Sequence, residues 1–63
     1  MDKLYYTVKL VEDLCLITVY YIIDNTPKIF CEIDALEDCS IENEIQTYLD
    51  NNGYENELEF VEL

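Results

Sequence analysis

The stretch KLYYTVKLV-ED-LCLITVYYII, Lys3 to Ile23, decides the fold. Two runs rich in Val, Ile, Leu, Thr and Tyr flank Glu12 and Asp13, the pattern of a hairpin closed by a two-residue turn. With those acids as the turn, Leu10 faces Cys15, Val8 faces Ile17, Tyr6 faces Val19 and Leu4 faces Tyr21, so one face of the ribbon is apolar or aromatic throughout. A slip of one residue would turn that whole set over. The opposite face carries Tyr5 against Tyr20, with Val11, Leu14 and Leu16 nearby.

Beyond the hairpin, Asp24, Asn25, Thr26 and Pro27 are turn formers, and a third strand is expected over 28–34. Pairing Ile23 with Ile29, Tyr21 with Cys31 and Val19 with Ile33 extends the apolar face and sets Ile22 against Phe30 on the other one. Ser40 reads as a helix N-cap. Ile41, Ile45, Tyr48 and Leu49 then recur at helical spacing until Asn52 and Gly53 stop the helix. Leu58 and Phe60 alternate with Glu57, Glu59 and Val61, which predicts a fourth strand in the same sheet. The expected fold class is α+β: a small antiparallel sheet in the order β-β-β-α-β, with one helix packed on one face. Residues 1–63 are expected to form a single acidic domain, with no repeats or linkers to suggest a second one.

At 63 residues the core must be thin, because folding at this size buries only about 60% of the surface of the extended chain. The 51% apolar content still favours a folded chain over a disordered one. The longest apolar run, Ile17 to Ile23, falls well short of the roughly 20 residues of a membrane span. The N-terminus carries no export pattern, so the expected location is the cytoplasm. Cys15, Cys31 and Cys39 are odd in number and widely spaced, which predicts reduced, mostly buried thiols rather than a disulfide framework or a zinc site.

Catalytic chemistry is poorly provided for. There is no histidine, one serine, one glycine and three lysines. Ser40 has no base beside it and is explained as a cap, while the cysteines lack cationic neighbours to stabilise a thiolate. One glycine cannot build a phosphate-cradling loop. Asp50, Asn52 and Gly53 do not fit a calcium loop, whose glycine stands sixth. Glu37, Asp38, Glu42 and Glu44 offer oxygen ligands for a hard cation, but their spacing has little specificity. No enzyme activity, cofactor, catalytic residue or metal site is therefore expected.

Charge is the outstanding property. Fifteen acids stand against three lysines, a net of −12, and residues 29–63 hold eleven acids and no base. Direct binding to nucleic acid or to an anionic membrane is disfavoured, and basic protein partners are favoured. A solvated surface that keeps a small protein soluble is the plainer reading, but a net charge of about 2 to 8 suffices for that. Glu55, Glu57 and Glu59 alternate on one face of the expected last strand, roughly 6.8 Å apart, a spacing similar to that of neighbouring phosphates. Asp50 stands near the helix C-terminus, where a negative charge costs a few tenths of a kcal/mol. Glu42 and Glu44 suit the first helical turn.

In length, charge and missing catalytic residues the chain resembles the small acidic inhibitors that phages and mobile elements carry against host defence, including anti-CRISPR and anti-restriction proteins, several of which are DNA mimics. The resemblance is one of class and carries no motif. It implies a non-enzymatic inhibitor acting in the host cytoplasm, which competes for the basic nucleic-acid site of a defence nuclease or complex. No functional residue carries over from it; read from the residues themselves, the expected partner-binding set is Asp50, Glu55, Glu57, Glu59, Glu42 and Glu44, with Tyr5 and Tyr20. The rival reading is a protein-interaction module or homodimer subunit that uses the Tyr5, Tyr20, Ile22 and Phe30 face, its acids serving solubility alone.

Overall fold

The computed structural model describes residues 3–54 and 58–63. Strands β1 (Lys3–Val11), β2 (Leu14–Ile23) and β3 (Thr26–Leu36) are followed by helix α1 (Ile41–Asn51) and strand β4 (Glu59–Glu62). This is the β-β-β-α-β order expected of an α+β domain. The first hairpin takes the register its alternation dictates, with Leu10 opposite Cys15, Val8 opposite Ile17 and Tyr6 opposite Val19. Tyr5 and Tyr20 pair on the other face.

The sheet runs β3-β2-β1-β4 and is mixed rather than antiparallel throughout, because β4 lies parallel to β1. The helix is the cause. It carries the chain from one edge of the sheet back to the opposite edge, so β4 starts at the end where β1 starts, and an α-helical crossover of this kind delivers a parallel strand. Lys3 faces Glu59, Leu4 faces Phe60, and the Leu63 N–H donates to the Tyr6 carbonyl at 2.9 Å, extending the ladder.

The second hairpin departs from expectation in register. Asp24 and Asn25 alone form the turn, with φ of 53° and 63°, the left-handed pair that a tight hairpin uses to match strand twist. Strand β3 therefore begins at Thr26, and Val19 pairs with Cys31 rather than Ile33, while Ile17 takes Ile33. From Val19 to Leu14 the shift is two residues, so Cys31, Ile33 and Ala35 keep the apolar face; next to the turn it is three, and Ile29, expected opposite Ile23 on that face, lies opposite Tyr20 on the open one. A bulge between Val19 and Tyr20 leaves Phe30 as the extra residue, since Tyr20 pairs with Ile29 and Ile22 with Pro27. Phe30 is thereby taken off the open face, where Ile22 was expected to oppose it, and turned under the helix. There it makes edge-on contacts with Tyr21, Tyr48 and Tyr54 at centroid distances of 6.3, 6.5 and 5.5 Å. Pro27 is tolerated because β3 is an edge strand and its missing N–H costs no ladder bond within the sheet.

The helix begins at Ser40, which occupies the N-cap without a side-chain capping bond. It ends in a left-handed Gly53 with φ of 80°; the Tyr54 N–H reaches the Leu49 carbonyl at 3.0 Å and the Gly53 N–H the Asp50 carbonyl at 3.3 Å. That double bond is the Schellman arrangement, which favours glycine at this position. Ile45 and Leu49 are the two helix side chains that reach full burial, against Leu4, Cys15, Ile17, Val19 and Ala35 of the sheet. Ile41 and Tyr48 pack at the margin. An eleven-residue helix is too short to cover the whole apolar face, so Leu10 remains 63% exposed although its register partner Cys15 is buried.

Candidate functional site

Strand register sorts the charged residues between the two faces. On the face away from the helix lie Lys3, Lys9, Glu32, Asp34 and Glu59, two lysines against three acids and a net of −1. The remaining described residues carry nine acids, Glu12, Asp13, Asp24, Glu37, Asp38, Glu42, Glu44, Asp50 and Glu62, against Lys28 alone. The acidic field therefore issues from the helix side and the turns.

It is strongest at one end. Val11 and Leu14 pair across the first turn and Leu14 pairs with Leu36, so Glu12 and Asp13 lie beside the chain that leaves β3 through Glu37 and Asp38. Helix α1 starts from the same end with Glu42 and Glu44 in its first turn. Among the described residues, no lysine lies in these turns or in the helix. The helix dipole stabilises Glu42 and Glu44 but gives no reason for the other four acids. Glu42 also acts on Tyr6 of β1: burial first, then the Glu62 and Glu42 carboxylates, raise the Tyr6 hydroxyl above its ordinary pKa. Glu44 lies near Cys39, whose thiol is raised by burial, by the neighbouring Cys15 and by Glu44.

Of the acids singled out from sequence, Asp50 and Glu59 are not brought together with Glu42 and Glu44. Asp50, exposed near the far end of α1, stands eight residues from Glu42, about 12 Å along the axis. It accepts a hydrogen bond from Gln46 Nε2 at 3.0 Å. Glu59 is the first residue of β4, on the near-neutral face, with an oxygen 3.8 Å from Lys3 Nζ; the pair is well exposed, so it adds little stability. Glu55 and Glu57 lie outside the described residues. Tyr5 and Tyr20 are half-buried partners on the open face. Glu12, Asp13, Glu37 and Asp38 were absent from the expected set because the coincidence of two turns at one end depends on the β3 register.

Among the described residues, no three Asp, Glu or Cys side chains converge to hold a metal ion. Cys15 is buried and Cys31 and Cys39 are half-buried, all as free thiols, and burial raises Cys31 as well. Among the described residues, no helix is long and apolar enough to cross a membrane. No protein-family model, curated protein or solved structure matches this chain.

Proposed function

We propose that this protein is a non-enzymatic inhibitor, which offers carboxylates in place of phosphates to the basic nucleic-acid site of a nuclease or nuclease complex and blocks it by competition. The carrying observation is the sorting of charge: nine acids against one lysine on the helix side and turns, and a net of −1 on the open face. A coat needed only for solubility has no reason to leave one face nearly neutral, and its self-repulsion lowers stability. The helix-starting end, with Glu12, Asp13, Glu37, Asp38, Glu42 and Glu44, is the surface that meets the partner first. Asp50 extends the field toward the other end, whereas Glu59 lies on the open face against Lys3. The three free thiols fit a reducing cytoplasm as the place of action.

The immobilised protein should retain a basic nucleic-acid-binding protein from a bacterial lysate, and a duplex oligonucleotide should displace it. Competition is the essential result. A retained protein that stays bound at saturating oligonucleotide, and itself binds nucleic acid equally well in the presence of the inhibitor, would contradict the proposal.

A further inference from the structure

We infer that the open face of the sheet is a self-association surface that pairs with the same face of a second copy across a twofold axis. Neither the helix nor β4 covers this face. Along it stand Tyr5 and Tyr20 at one end, Thr7 and Thr18 in the middle, and Val11, Leu14, Leu16 and Leu36 at the other. Val11, Leu14 and Leu36 are 40, 43 and 68% exposed, a contiguous apolar patch of the sort that marks an interface.

Charge selects the occupant. A chain of net −12 repels its own copies everywhere except on a face where the charge is nearly balanced, and the open face is such a surface. The balance is also patterned for self-complementarity. Lys9, Glu32 and Asp34 line a shallow depression of about 230 Å³, floored by Thr7, Thr18 and Leu16. Among the described residues, Lys9 makes no ion pair within the chain. In a twofold arrangement the Lys9 of each copy meets Glu32 and Asp34 of the other, two equivalent contacts from one complementary patch. The small threonines leave room for side chains of the facing sheet.

The size is adequate. Three strands of nine to eleven residues and the short β4 span roughly 550 Å² of sheet, from strand spacing and rise, so two copies bury about 1,100 Å². A specific interface needs about 1,000 Å². Such a dimer leaves the helix side of each copy outward, and its test needs no partner protein.

Sedimentation equilibrium of the purified chain should give twice the 7.5 kDa of one copy at high micromolar concentration. Association should hold or tighten as salt rises, since salt screens the repulsion between copies and does not weaken apolar burial. Lys9→Glu, an exposed substitution that takes the face from −1 to −3, should raise the dimer dissociation constant roughly tenfold or more. A Glu32→Lys, Asp34→Lys variant mixed with Lys9→Glu should form a heterodimer, which shows that both remain folded. A wild type that stays at 7.5 kDa at every concentration and salt overturns the inference. So does a dimer indifferent to Lys9→Glu, or one that dissociates as salt rises.

Discussion

Leu49→Ala is expected to lose about 3 kcal/mol of stability, at least a third of what the domain holds. Leu49 is 1% exposed, and with Ile45 it makes up the whole of the fully buried contact that α1 offers the sheet. Removing three carbons there opens a cavity in a core that, among the described residues, has seven buried side chains, and a thin core has few neighbours able to collapse into it. A domain of 63 residues holds only about 3 to 9 kcal/mol in total, at the usual stability per residue. Leu10→Ala is the control, because Leu10 is 63% exposed and its truncation should cost less than about 0.5 kcal/mol. Urea denaturation followed by far-ultraviolet circular dichroism reads both. Equal losses for the two variants would mean that the helix does not anchor the core as described.

The second large effect concerns binding. Replacing Glu37, Glu42 and Glu44 by glutamine and Asp38 by asparagine removes four charges from the helix-starting end, and the partner's affinity should fall about a hundredfold, at roughly 0.7 kcal/mol per screened contact. Stability should change little or rise. Glu42 and Glu44 lose a favourable position at the helix N-terminus, each worth a few tenths of a kcal/mol, while the mutual repulsion of the cluster disappears. Titration of the captured partner against both proteins gives the affinity ratio, and a thermal melt gives the stability. An unchanged affinity in a folded variant would move the contact away from this end.

The hairpin register was legible because alternation admits only one arrangement in which every residue of a face is apolar; Val8 opposite Ile17 and Tyr5 opposite Tyr20 follow from it. The third strand was legible in its faces but not in its pairing. A tight Asp24-Asn25 turn moves the register by three residues and the bulge gives one back, so Cys31 and Ile33 keep their face and periodicity cannot detect the change there. The bulge at Phe30 is likewise silent in sequence, and it decides that an aromatic side chain joins Tyr48 and Tyr54 rather than the open face. The direction of β4 depends on the path of the helix, which a strand pattern of four residues does not encode. For the site, the total charge was legible and its sorting was not. Asp50 and Glu59 were expected to act together with Glu42 and Glu44, yet they lie apart, and Glu59 faces Lys3. The concentration of Glu12 and Asp13 with Glu37 and Asp38 is a product of tertiary pairing between β1, β2 and β3.

If this protein acts through its sorted charge, partner binding must depend on salt. Affinity should be measured from low to moderate salt for the wild type, for the charge-neutralised variant and for a Tyr5→Ala, Tyr20→Ala variant, with folding verified for each. Wild-type affinity should fall steeply with salt, because ions screen exposed charge interactions with a Debye length of about 8 Å at physiological ionic strength. The neutralised variant should give a weaker and flatter line, and the tyrosine variant a slope close to wild type. A salt-independent wild type, with full affinity in the neutralised variant and none in a folded tyrosine variant, would contradict action through sorted charge and assign the partner to the open face.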